Sequence, residues 1–260
     1  MTQVVHLAIP QFQVFLVIVI RVSGIISVWP VLASRTIPLQ IKTGLVLMLG
    51  FVLLPLVRVP AMPTDAWPMA HGLAGEFLMG MVLGLAVRLV FSGIELAGEL
   101  IGIQMGIGSV QLLDPTTFQQ APLIGHFQTL LASLVFLSLN AHLVVVQAIA
   151  RSFDLVPPFG AMVSSGLLQD VLFITQGAFV LAIQLAAPVL VTVLLINLSL
   201  AILGRAVVQM NVFVLSFPIT IAAGFLVLGA TLPFTVSLYA SQFDRLVETL
   251  QGLMKVLGHG

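Results

Sequence analysis

The stretch VLFITQGAFVLAIQLAAPVLVTVLLINLSLAIL runs from Val171 to Leu203 without one charged residue. As a helix its residues would extend roughly 50 Å, well beyond a hydrocarbon core of about 30 Å. It is too apolar for a helix in water and too long for an upright membrane span. It must tilt steeply, kink at Pro188, or fold back as a hairpin.

The rest of the chain asks for the same solvent. Of its 260 residues 60% are hydrophobic and 7% are charged, with mean hydropathy +1.20. Soluble domains carry about 25% charged residues, so the charge needed to dissolve this surface is missing. The expectation is an all-α integral membrane protein with kinked helices. A formal net charge of zero leaves no electrostatic footprint for nucleic acid. The absence of cysteine excludes disulfides, thiolate metal sites and cysteine nucleophiles. No basic segment precedes the first apolar run, so Gln11 onward reads as a retained helix and not a cleaved signal.

Six apolar blocks follow one another: Phe12–Ala33, Thr43–Val57, Gly72–Phe91, Leu123–Ile149, Val171–Leu203 and Val212–Tyr239. The second is short of the ~20 residues that cross a bilayer. Proline and glycine punctuate the breaks at Pro60, Pro63, Pro68 and Pro157-Pro158-Phe159-Gly160. If every block spanned, Arg35, Lys42, Arg88 and Arg205 would fall on one side and Arg58, Arg151, Arg245 and Lys255 on the other. That balance gives no positive-inside bias and argues against six simple spans.

Several polar residues sit where hydrocarbon would reject them. Arg21 lies inside the first block, Glu76 early in the third, and Glu95 and Glu99 share a helix face just beyond it. Intramembrane charges pair or serve function, and the simplest reading pairs Arg21 with one of these acids to fix packing register. Gly80 and Gly84 are four apart, and so are Gly98, Gly102 and Gly106. Such spacing bares one helix face for close approach by another helix. Gly98, Gly102, Glu95, Glu99 and Arg21 are therefore the candidate packing residues. Asn140, His142 and Asn197 suit interhelical hydrogen bonds better than a proton relay, since no acid shares a block with His142. The 5 histidines lack metal-ligand spacing, and phosphate-loop, dinucleotide and nucleophile-elbow motifs are absent. No catalytic, cofactor or metal site is expected.

The segment GIGSVQLLDPTTFQQAP, Gly106–Pro122, breaks the apolar pattern. Irregular backbone at membrane depth is tolerated only inside protein or against an aqueous cavity. Gly106 and Gly108 permit a sharp exit from the preceding helix, and Pro115 holds Asp114 extended. Gln119 and Gln120 offer hydrogen bonds without charge. A pore constriction and an ordinary extramembrane loop both fit these residues.

The runs IGIQMGIG, LLDPTTFQQAPLIGHF and LVFLSLNAHL, with RVSGIISVWPVLASRTIPLQIKTGLVLML earlier and LLINLSLAILGRAVVQMNVFVLSFPITIAAG later, resemble the FliR family of flagellar export-gate proteins. The virulence-type SctT proteins are its related branch. Ala141 and Val208 depart from the family pattern, where glycine and proline are expected. The resemblance covers nearly the whole chain and implies a single export-gate domain over residues 1–260, with helical hairpins of non-standard transmembrane topology. It further implies assembly with FliP-like and FliQ-like subunits, association with an FlhB-like subunit, and a pore for unfolded flagellar substrates. The implied location is the bacterial inner membrane, within the flagellar basal body. The resemblance makes Gly106–Pro122 the plug loop, with Gly106, Gly108, Asp114, Pro115, Phe118, Gln119, Gln120 and Pro122 as plug residues. The competing function is a secondary transporter, which should show two similar halves with paired broken helices.

Overall fold

The computed structural model describes residues 2–33, 37–57, 65–107, 122–160, 165–206 and 212–258. Among them the chain is helical throughout, without a strand: α1 (Thr2–Val28), α2 (Pro30–Ala33), α3 (Leu39–Leu53), α4 (Ala66–Met105), α5 (Leu123–Ser138), α6 (Ala141–Leu155), α7 (Ser165–Ala206), α8 (Val212–Ala230) and α9 (Leu232–Gly258). The all-α expectation holds. Intrahelical hydrogen bonding satisfies the backbone of such apolar segments without water.

The six blocks map onto these helices in order, but not as six spans. Three helices, Gln11–Val28, Ala66–Met105 and Gly166–Ala206, are long and apolar enough to cross a membrane. The count rises to five if each of two bent pairs is one span. The second block becomes α3, whose 15 residues rise only about 22 Å. The third continues to Met105 as a helix of 40 residues, carrying Glu95, Gly98, Glu99 and Gly102 with it. The fifth is one helix of 42 residues that runs through Pro188, so the hairpin alternative for it is excluded. Thr192 Oγ donates to the Pro188 carbonyl at 2.8 Å, one turn beyond the proline.

The fourth and sixth blocks break. Helices α5 and α6 are separated by a break at Leu139 and Asn140, and α8 and α9 meet at 58°. At the first break Asn140 adopts φ 54°, the left-handed region that asparagine tolerates better than most residues. Asn140 is exposed and forms the corner itself. Asn197 is also exposed, on α7.

The chain divides into two compact units. Unit 1 comprises Met1–Leu89, Asn140–Thr175 and Phe243–Gly260; its core includes Ile18, Val22, Met79, Leu83, Ile149, Leu246 and Met254. Unit 2 comprises Val90–Leu139 and Gln176–Gln242; its core includes Ile94, Ile101, Met105, Phe136, Ala182, Val189 and Tyr239. There Phe91 and Phe136 meet edge to face, with centroids 5.7 Å apart. The units interleave along the sequence and are not an N-terminal and a C-terminal half.

Candidate functional site

Within unit 1, Arg21 on α1 and Glu76 on α4 are both fully buried. Arg21 Nε donates to Glu76 Oε2 at 2.6 Å, Nη1 to Ser152 Oγ at 3.1 Å, and Nη2 to the Val156 carbonyl at 3.1 Å. The other carboxylate oxygen, Oε1, accepts the Phe159 N–H at 2.9 Å. The guanidinium carbon also lies 4.0 Å from the Phe153 ring centroid. Each charge thus has several partners, as a buried ion pair requires if its desolvation is to be offset. Of the three acids within reach by sequence, the fold selects Glu76. The pair closes inside this chain, so Arg21 is not a contact for another subunit.

Glycine brings the two charged helices together. A Cβ on Gly84 would lie 2.7 Å from the Ile25 carbonyl oxygen, and one on Gly80 would overlap the Arg21 carbonyl. The Gly80/Gly84 spacing is therefore used by α1 of the same chain. His142, half-buried on α6, has an Nδ1 without a hydrogen-bond partner among the described residues.

Unit 2 holds the two ends of the irregular segment. Gly106 leaves α4 with φ 80°, conformational room that its missing Cβ supplies. Thr220 on α8 donates its hydroxyl to the Met105 carbonyl at 3.0 Å, tying down the last turn of α4. At the far end Pro122 precedes α5. Gly98 packs against that helix start: a Cβ there would lie 2.6 Å from the Gly125 nitrogen. Gly98 is thus occupied by α5. Gly102 is half-buried, with the nearest atom to its Cβ position 3.8 Å away on Ile124. Glu95 is half-buried and Glu99 exposed. Gly108, Asp114, Pro115, Phe118, Gln119 and Gln120 lie outside the described residues.

Two features escaped sequence reasoning. Tyr239 donates its hydroxyl to Gln128 Oε1, joining α9 to α5 inside unit 2. Ser152 completes the Arg21 network. Each polar partner sits in a buried helical row, Ile124–Gln128–Ala132–Phe136 and Val145–Ile149–Ser152. A lone polar residue on an apolar face is the signal that could have found both. An apolar cavity of about 450 Å³ adjoins Gln128, lined by Leu123 and Phe127 from α5, Phe225 and Leu228 from α8, and Leu232 and Thr235 at the start of α9.

A family model described as bacterial export proteins, family 1, matches residues 12–246. The chain belongs to the FliR family of export proteins. The flagellar biosynthetic protein FliR of Pectobacterium carotovorum subsp. carotovorum is 33% identical over 244 residues, covering 90% of this chain and 91% of that one. FliR of Bacillus subtilis (strain 168) is 30% identical over 254 residues, covering 96% and 98%. FliR of Escherichia coli (strain K12) is 28% identical over 238 residues, covering 90% and 91%. Membership in the FliR family gives the chain a part in flagellar protein export. The long apolar helices make it a membrane protein. For a FliR-family chain the geometry then divides the candidate packing residues. Arg21 and Gly98 are committed within the molecule, while Glu99 and part of Gly102 face outward.

Proposed function

We propose that this chain is a structural subunit of the flagellar export gate in the bacterial inner membrane, within the basal body. It joins FliP-like and FliQ-like subunits, with an FlhB-like subunit associated, around a pore for unfolded flagellar proteins. Residues 106–122 form the plug of that pore. Exposed Glu99 and the outward parts of half-buried Glu95 and Gly102 pack against the partners.

The observation that carries the plug reading is the anchoring of both segment ends side by side in unit 2. Thr220 holds the end of α4, and the start of α5 packs on the same helix at Gly98 and Gly102. The intervening residues leave and return at one place, so they can fill an opening without bearing on the helical frame. Partner subunits are supported by α7. Its large apolar side chains are exposed from Leu168 to Leu203, about 52 Å along the helix. A hydrocarbon core of about 30 Å meets about 39 Å of a helix tilted by about 40°, the steep end of the usual range, and protein covers the remainder. The interleaved units disfavour a two-half transporter.

Because the ends adjoin, Ser109–Gln120 can be replaced by a short glycine bridge without straining either helix. The expected result is a complex that assembles and conducts small ions, since a path as wide as an extended peptide does not exclude them. The leak should require the FliP-like and FliQ-like partners. Ion flux in cells expressing the whole complex measures it. A deletion variant that assembles and stays as tight as wild type removes the plug assignment.

A further inference from the structure

Between α6 and α7 the chain turns through Pro157-Pro158-Phe159-Gly160, closed by the Gly160 N–H donating to the Pro157 carbonyl at 2.9 Å. Pro158 fixes its own φ near −65°, and Phe159 follows at φ 66°. This is the pattern of a type II turn, whose third residue is ordinarily glycine or asparagine. A phenylalanine there is strained, because its Cβ crowds the neighbouring carbonyl. Such residues persist where their surroundings hold them.

Here the surroundings are two charges. Glu76 Oε1 takes the Phe159 N–H, Arg21 Nη2 grips the Val156 carbonyl, and the two side chains are bonded to each other. A donor and an acceptor of one turn are thus held by the two halves of one ion pair. The Phe159 ring is seated on bare backbone of α4, where a Cβ on Gly72 would lie 2.7 Å from a ring carbon.

We infer that the Arg21–Glu76 pair is a clip that holds the Val156–Gly160 turn in a strained shape, with Phe159 latched onto Gly72 of α4. Charge pairing between α1 and α4 thereby sets the conformation of the turn that follows α6. Breaking the clip releases the strain and opens the turn.

Hydrogen exchange at the Phe159 and Gly160 amides, in the assembled complex carrying the full chain, tests this. Glu76→Gln keeps the side-chain shape but offers one acceptor oxygen where two are used. It should speed exchange at both amides about tenfold or more, the loss expected for one hydrogen bond to a charged group. Adding Phe159→Gly should return the Gly160 amide to wild-type protection, because glycine adopts positive φ without strain. Unchanged exchange in an assembled Glu76→Gln complex overturns the clip. So does a double variant that exchanges as fast as Glu76→Gln alone. Should Glu76→Gln fail to assemble, Arg21→Lys keeps the positive charge but cannot bond Glu76, Ser152 and the Val156 carbonyl together. The same acceleration, again reversed by Phe159→Gly, is then expected, and its absence overturns the clip.

Discussion

Arg21→Met is the sharpest probe of the buried pair. Methionine keeps an unbranched stem but strands the Glu76 carboxylate, which is 0% exposed. Removing one partner of a buried pair costs about 3–5 kcal/mol. The Val156 carbonyl adds at most about 1–3 kcal/mol as an orphaned acceptor. Ser152 loses little, because its hydroxyl still donates to the Ile149 carbonyl at 2.7 Å. Glu76→Leu strands the guanidinium and should cost a similar ~3–5 kcal/mol. The double variant strands no charge. Only the Val156 carbonyl and the Phe159 N–H lose partners, together about 2–6 kcal/mol at about 1–3 each. The same two orphan terms enter the single variants and cancel in the cycle, leaving the stranded charges, about 6–10 kcal/mol summed, so coupling of several kcal/mol is expected. Pulse proteolysis of the purified complex across an SDS titration, read from the band of this chain, gives the midpoint for each variant. Additivity within about 0.5 kcal/mol would mean that the pair is energetically uncoupled. The argument for a compensating buried ion pair would then fail.

Gly98→Leu and Gly102→Leu should differ in kind. The first collides with Gly125 and disrupts the chain's own α4–α5 contact, while the second leaves that contact and blocks a partner; retention of the FliP-like subunit on an affinity-tagged Gly102→Leu chain would exclude Gly102 from the interface. Tyr239→Phe leaves Gln128 Oε1 without its donor at a buried site and should cost about 1–3 kcal/mol, checked by the same SDS midpoint. Phe118→Gly should leak fewer ions than the Ser109–Gln120 deletion, since it removes one bulky group and keeps the segment; equal flux would show that bulk at Phe118 does not matter. Expressed without partners, the chain should be heterogeneous in detergent, because α7 leaves its long apolar face uncovered; a monodisperse, heat-resistant monomer by size exclusion would count against assembly.

Much of the candidate site was visible in the residue string as types without partners. Arg21 and Glu76 announced themselves as charges in oil, and Gly80/Gly84 and Gly98/Gly102 as close-approach faces. Which surface each would meet was not visible. Gly80 and Gly98 turned inward, to α1 and α5, and Gly102 only partly so. Asn140 reads as a polar residue suited to an interhelical bond, and its left-handed φ was not visible. A single unfavourable φ leaves no trace in hydropathy. Phe159 is the same case with a stronger consequence, because a bulky residue there gives no hint of a glycine-like conformation.

Composition and hydrophobic run length alone determined that this chain is a helical membrane protein, and its ordered motifs pointed to an export family. Those properties are carried by neighbouring residues and survive any choice of packing. Tertiary structure alone decided that Arg21 meets Glu76 and Ser152, 55 and 131 positions away, and that the chain folds as two interleaved units. The physical reason is that hydrocarbon drives every apolar helix into the membrane alike, without choosing its neighbour. The choice among neighbours is made by the few contacts that hydrocarbon cannot substitute: a satisfied ion pair, a backbone seated on glycine, and a hydroxyl on a helix end.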